Sequence, residues 1–212
     1  MQYYAAFDSE TGGFIPEETD MLTFYMGMFD EEFKLAEELY LKLKPDGGRI
    51  PVAHADALRV NRIDLHLHLA DPETITYSEG NEKLVEMLKK YHKKEGRFNN
   101  IRPMGYNVPF DEKFTFKHLM PLAQWEKYMH YKRVDVMERV DFLKECGWMP
   151  RDLGSLSSVN DYLSLPKLTA HNAKYDTIMC VNVYQKLVEL MKSKKDNSAT
   201  SQIDIIAMLE AE

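Results

Sequence analysis

The sequence predicts an α/β fold, a mixed sheet covered by helices, and three observations carry that expectation. Apolar runs at residues 3–7, 21–29 and 38–43 are joined by short connections, which suits an antiparallel meander. From Val52 onward, apolar runs alternate with segments whose apolar residues recur at helical spacing, the pattern of strands crossed over by helices. The chain has 212 residues, 44% of them hydrophobic, enough for one well-buried core and a modest appendage.

In chain order, residues 3–7 (Tyr3, Tyr4, Ala5, Ala6, Phe7) read as a buried strand, and 21–29 as a second apolar and aromatic run. In the third run Leu39, Leu41 and Leu43 alternate with polar neighbours, and Asp46-Gly47-Gly48 marks a turn after it. Residues 53–58 suit a short helix, and Asp71-Pro72 breaks the chain. Residues 81–94 carry Leu84, Val85, Leu88 and Tyr91 at helical spacing. Residues 101–106 read as a fourth strand, and Asn107-Val108-Pro109 opens a helix, because proline is tolerated in a first helical turn. A fifth strand is expected at 131–136, a helix at 137–145 ending near Gly147, a short helix at 157–163, and a long one at 174–191. Residues 193–199 are polar and lysine-rich, a linker by composition. They divide the chain into a domain at 1–192 and a tail at 193–212 that ends in an apolar patch.

A net charge of −7 argues against a protein that coats nucleic acid by bulk electrostatics. It leaves room for an enzyme that grips a few phosphates, because bound cations invert the charge of an acidic site. Lys89, Lys90, Lys93, Lys94 and Arg97 form one basic cluster, and Lys192, Lys194 and Lys195 another. Both read first as a solvated helix face or helix end, with a phosphate track as the alternative. No stretch approaches the roughly 20 apolar residues of a membrane span, and Asp8 interrupts the first apolar run before signal-peptide length. A soluble cytoplasmic protein without membrane contact is expected. Cys146 and Cys180 lie far apart in apolar surroundings and are expected to be buried, unpaired thiols.

Asp8 and Glu10 close the first run. Side chains at i and i+2 of a strand share a face, so two carboxylates aim at one spot. They repel unless a cation sits between them, and hard divalent ions take such oxygen ligands. Two more acids stand in distinctive places. Asp111 lies in the first turn of the helix that leaves the fourth strand, where the helix dipole favours an ionised carboxylate. Asp176 lies one turn into the long last helix, with His171 just ahead of it.

This ordered set resembles the DnaQ-like (DEDDh) 3'-5' exonuclease family. Asp8-Ser9-Glu10-Thr11-Gly12 matches the first family motif, Asp-x-Glu-Thr-Gly. Asn107 to Asp111 matches the second, Asn-x-x-Phe-Asp, and His171 to Asp176 matches the third, His-x-Ala-x-x-Asp. The motifs occur in family order, and the stretch from Val60 and Asn61 to Thr74 is similar to the family's connecting segment. The resemblance covers roughly residues 3 to 191. Tyr106 departs from it, standing where many relatives carry a histidine.

The resemblance implies an RNase H-like fold, a five-stranded mixed sheet whose second strand runs antiparallel to the others. It implies that Asp8, Glu10, Asp111 and Asp176 bind two Mg2+ or Mn2+ ions and that His171 is the general base. The implied reaction releases nucleoside 5'-monophosphates from single-stranded 3' ends, with DNA preferred and RNA trimming as the alternative. Two metals about 3.5–4 Å apart neutralise charge on the attacking and leaving oxygens of a phosphodiester, and histidine is suited to take a proton near neutral pH. By the same resemblance, the backbone of Thr11 and Gly12 contacts the 3' nucleotide. Phe14 either stacks on a base or joins the core, and Asn107 is a further substrate contact. A non-catalytic binding module on the same fold would have lost one of the five functional positions, and all five are present. The number of subunits is left open.

Other residues invite a role without supporting one. His66 and His68 alternate with Leu65, Leu67 and Leu69, which reads as the exposed face of an extended segment, since no further zinc ligand stands nearby. His54, His118 and His130 lack a partner pattern, and Ser155, Ser157 and Ser158 lack the glycine-framed turn of a hydrolase nucleophile. In the tail, Gln202, Ile203, Asp204, Ile205 and Ile206 resemble the short peptide by which replication proteins dock onto the bacterial sliding clamp, and the preference for DNA rests on that likeness. The alternative for this segment is a terminal helix packed on the domain or on a second copy.

Overall fold

The structure, a computed structural model, describes residues 1–197, with side chains to residue 192. The clamp-like segment from Gln202 to Ile206 lies outside the described residues. The meander forms as expected from its apolar runs: β1 (Tyr3–Thr11), β2 (Met21–Phe29) and β3 (Leu35–Lys44). β2 runs antiparallel to both neighbours and is buried along its whole length, so it reads as a continuous apolar run without alternation. β7 (Ile101–Gly105) pairs parallel with β1, and β8 (Val134–Asp135) pairs parallel with β7. The sheet order is β4-β3-β2-β1-β7-β8, with β4 at Thr74–Thr76 parallel to β3.

Among the described residues that makes six strands in this sheet where the family likeness implied five. β4 is too short for alternation to register, and its pairing partner lies about thirty residues earlier in the chain. The other half of the expectation holds: β2 alone opposes the remaining strands of the sheet.

The strand period of two sorts the core into two layers. Ala5 and Phe7 of β1 face one layer, built by α3 (Tyr77–Tyr91) and α4 (Val108–Phe114) through Leu84, Leu88 and Phe114. Ala6 faces the other, built by α6 (Val136–Glu145), α7 (Leu156–Tyr162) and α8 (Ala173–Asn197) through Val140, Val159 and Val181. Two short helices, α1 (Ala55–Asn61) and α2 (Leu65–Ala70), lead into β4. A hairpin of β5 (Lys94–Glu95) and β6 (Phe98–Asn99) precedes β7, and α5 (Leu122–Trp125) follows α4.

Several local expectations are corrected. His66 and His68 lie on α2, not on an extended segment. The Asp64 side chain caps that helix by accepting from the N–H groups of His66 and Leu67. His68 is buried, its Nε2 2.9 Å from the Leu43 carbonyl oxygen. Helix α3 begins at Tyr77, ahead of the expected Asn81, because Thr76 and Glu79 form a capping box. Gly80 lets this first turn pack closely; a Cβ there would stand 2.8 Å from Leu43 Cδ2. The backbone of α8 continues past residue 192 to Asn197, which suits a run containing Lys194 and Lys195, good helix formers. Both thiols are free, but Cys146 is exposed just past α6, and only Cys180 is buried. No helix among the described residues is long and apolar enough to cross a membrane.

Candidate active site

Because β1 alternates, Asp8 and Glu10 follow Ala6 onto the face covered by α8, and there they meet Asp176 in the first turn of that helix. One carboxylate oxygen from each of Asp8, Glu10 and Asp176 lies within 4.8 Å of the others. Asp111 arrives from the opposite layer, on the first turn of α4. It is 2% exposed, and its Oδ1 accepts the Ser9 backbone N–H at 2.9 Å and the Ser9 hydroxyl at 2.7 Å. Ser9 points the other way from Asp8 and Glu10, so it holds the fourth acid against the strand end from behind.

The four acids act electrostatically as one group. Burial pushes Asp8 well above the usual carboxylate range, and the charges of Asp111, Glu10 and Asp176 raise it further. Glu10 is pushed up to about 8, by burial first and then by Asp176 and Asp111. Burial lifts Asp111 to about 7 against the opposing hydrogen bonds from Ser9. Asp176 is raised by burial as well, while bonds from the backbone N–H groups of His171 and Asn172 and the nearby His171 charge pull it down. Four acids that resist ionising together are relieved by a cation, and an all-oxygen donor set suits a hard divalent ion.

His171 is exposed, with φ of 63°, and its N–H donates to Asp176 Oδ2 at 2.8 Å. The left-handed turn thus carries its imidazole just ahead of α8, beside the acid that its own backbone orients. Asn107 also has positive φ, at 65°, a conformation asparagine tolerates. Its side chain is exposed at the start of α4.

The turn after β1 is more constrained than the sequence suggests. Gly12 donates its N–H to the Asp20 carbonyl at 2.7 Å and accepts the His54 N–H at 2.7 Å. A Cβ on Gly12 would stand 2.4 Å from the Val52 carbonyl oxygen, so glycine serves a close approach of two chain segments. The expected backbone contact from Gly12 to a nucleotide therefore has competitors inside the protein. The Thr11 hydroxyl donates to the Gly13 carbonyl, and the Thr11 carbonyl accepts from the Asn61 side chain. Phe14 is 87% exposed, which rules out the core role; its ring meets Phe110 edge-on at 6.4 Å.

Sequence reasoning missed three supporting residues. Ser9 looked like a spacer between two acids. Asp135 is buried and accepts from the N–H groups of Asn107, Val108 and Met137, joining the start of α4 to the start of α6. Glu138, three residues on, gives the spacing of a helix start, but the segment read as a strand through residue 136. Asp20 is buried and takes a bidentate pair from Arg49, the Val52 N–H and the Tyr77 hydroxyl, with His118 at 3.6 Å. Nothing local marks it, because its side-chain hydrogen-bond partners come from 29 to 57 residues away and His118 from further still.

No protein-family model and no curated protein sequence matches this chain. Solved structures do. A zinc-bound complex of E. coli exonuclease I with single-stranded DNA superposes with a TM-score of 0.71 at 18% identity, over 93% of this chain and 42% of that one. The fold is RNase H-like. A complex of E. coli exonuclease I with a dT13 oligonucleotide gives a TM-score of 0.67 at 18% identity, covering 93% of this chain and 43% of that one. Exonuclease I from Methylocaldum szegediense gives 0.64 at 16%, covering 89% and 41%. The chain therefore has the fold of a part of these exonucleases and spans less than half of their length.

Proposed function

We propose that this chain is a metal-dependent 3'-5' exonuclease that hydrolyses phosphodiester bonds at single-stranded ends, DNA in preference to RNA, and releases nucleoside 5'-monophosphates. The observation that carries the reading is the approach of Asp8, Glu10 and Asp176 to within 4.8 Å, with Asp111 raising the pKa of Asp8 and Glu10 from the opposite side. A protein gains nothing structurally from gathering four acids at a sheet end; a cation-dependent reaction does. The likeness to exonuclease I complexed with single-stranded DNA supports the same reading.

Asp8, Glu10, Asp111 and Asp176 would hold two Mg2+ or Mn2+ ions. Bound there, such ions supply neutralisation of phosphate charge and a water acidified toward neutral pH. The chain's own residues do the rest. Ser9 fixes Asp111, and the N–H groups of His171 and Asn172 fix Asp176, so the carboxylates are oriented before substrate arrives. The His171 imidazole, exposed at the rim, takes the proton of the attacking water. Phe14, exposed beside the turn that follows Glu10, offers a flat face to the terminal base, and Asn107 offers an amide.

The test is an assay with matched DNA and RNA strands labelled at either end, in Mg2+ or EDTA. Release of mononucleotides from the 3' end, faster from DNA and absent in EDTA, is the expected result. Chelator-resistant turnover, or internal cutting as the primary event, overturns it.

A further inference from the structure

Away from the acid cluster, three rings meet at the surface where the β5–β6 hairpin faces the loop before β8. His130 and Tyr131 stack with centroids 4.7 Å apart and planes 21° apart. Phe98 lies 5.5 Å from each of them. The Arg97 guanidinium stands 4.8 Å over the Phe98 ring, and the Lys132 ammonium lies 5.6 Å from the Tyr131 ring. Tyr131 is nonetheless 69% exposed and Phe98 36%. Rings in a core are hidden; Tyr131 and Phe98 are exposed with cations alongside, on a chain of net charge −7. Arg97 also belongs to the basic cluster noted in the sequence, so that cluster ends at an aromatic surface.

Two cavities adjoin this surface and the turn that follows β1. One, of about 380 Å³, is lined by Arg97, Phe98 and Tyr131 and also by Glu112 and Phe116. Phe116 also lines a cavity of about 630 Å³ together with Phe14, Lys113 and Lys117. The two cavities share Phe116, and α4 contributes Glu112 to the first and Lys113 to the second. Lys113 and Lys117 line the Phe14 cavity and Arg97 the other, while Lys132 lies beside the Tyr131 ring. Among their acids, Glu112 is paired with Arg133 at 2.7 Å, and Glu17 and Glu126 are the others.

We infer that Phe98, His130 and Tyr131, with Arg97 and Lys132, form a second and non-catalytic binding site for the single strand whose 3' end reaches the acids. The rings stack on upstream bases and the cations meet backbone phosphates. Stacking suits a strand of any sequence, because every base has a flat face. The inference rests on the nuclease reading. The distance is consistent with it. Tyr3 pairs with Ile101, whose carbonyl accepts the His130 N–H, and Asp8 lies five residues further along β1, roughly 16 Å at about 3.3 Å per residue. A trinucleotide held at the acids leaves at most two upstream bases for the rings, and a 16-mer leaves many.

The experiment uses the full chain and a Phe98→Ala/Tyr131→Ala double variant. Binding of 5'-labelled dT3 and dT16 is measured by fluorescence anisotropy in EDTA, and turnover of both in Mg2+. The expected result is dT16 binding weakened roughly 10-fold or more, with a matching fall in kcat/KM on dT16 and none on dT3. A second variant, Arg97→Gln/Lys132→Gln, should flatten the salt dependence of dT16 binding. Equal dT16 binding by wild type and double variant overturns the inference, as does an equal loss on dT3 and dT16, which would mark a purely structural role. If the wild type fails to hydrolyse either strand, the nuclease reading fails, and the anisotropy data still report whether the rings bind DNA.

Discussion

Neutralising one acid of the cluster should stabilise the metal-free protein while removing its response to metal. Asp176→Asn keeps the shape of the side chain, and its amide oxygen still accepts from the N–H groups of His171 and Asn172. Two full charges within 4.8 Å of each other repel by roughly 3 kcal/mol at an effective dielectric of about 20. Protons retained on Glu10 and solvent reaching the partly exposed site reduce this, so a gain of about 1–3 kcal/mol is expected at pH 8 in EDTA, or roughly 2–12 °C in Tm. The sign follows from linkage. Glu10 is raised from 4.5 to about 8, so it keeps its proton in the folded chain where the unfolded chain has lost it. The metal-free wild type therefore loses stability as pH rises through that window. Near pH 4.5 Glu10 and Asp111 are largely protonated, so most of the repulsion that the substitution relieves is gone and the two proteins should melt much closer together. Mg2+ at about a hundred times its Kd should stabilise the wild type by about 2.7 kcal/mol at pH 8 and the variant far less. Thermal unfolding at pH 4.5 and pH 8, with EDTA or Mg2+, measures all of this. A variant no more stable than wild type at pH 8 in EDTA, or one that gains as much from Mg2+, refutes the reasoning.

Three further outcomes follow from the geometry. His171→Ala should lower kcat by about 10²–10⁴-fold and leave Mg2+-dependent thermal stabilisation in place, because the side chain removed is exposed and its backbone bond to Asp176 remains; single-turnover kinetics and Mg2+ melts check the pair. Ser9→Ala leaves the buried Asp111 without one of its two Ser9 hydrogen bonds and should cost about 1–3 kcal/mol of stability by chemical denaturation, with weaker Mg2+ binding by calorimetry. Gly80→Ala would place a Cβ 2.8 Å from Leu43 Cδ2 and 3.0 Å from Leu119 Cδ1, both ends of flexible side chains, and gains about 1 kcal/mol of helix propensity, so it should cost no more than about 2 kcal/mol in urea unfolding, with kcat unchanged.

The local parts of this protein are written in the sequence because their physics is local. Apolar runs placed β1, β2 and β3, helical spacing placed α3 and α8, and the two-residue strand period put Asp8 and Glu10 on one face. Where a short element owes its form to distant partners, the local signal failed. β4 exists by pairing with β3, and α2, which replaced an expected extended segment, is tied to β3 by His68 and the Leu43 carbonyl as well as capped locally by Asp64. The three motif stretches named the acids, but not how they meet. Only the tertiary structure decided that Asp176 joins Asp8 and Glu10 on the α8 face, while Asp111 enters from the α4 layer. The same holds for Ser9 reaching Asp111 across 102 residues and Asp135 tying Asn107 to α6 across 28. Residue order carries the chemistry of each group. The repulsion that calls for a cation arises only when the sheet brings those groups within a few ångströms and the two helix layers partly screen them from water.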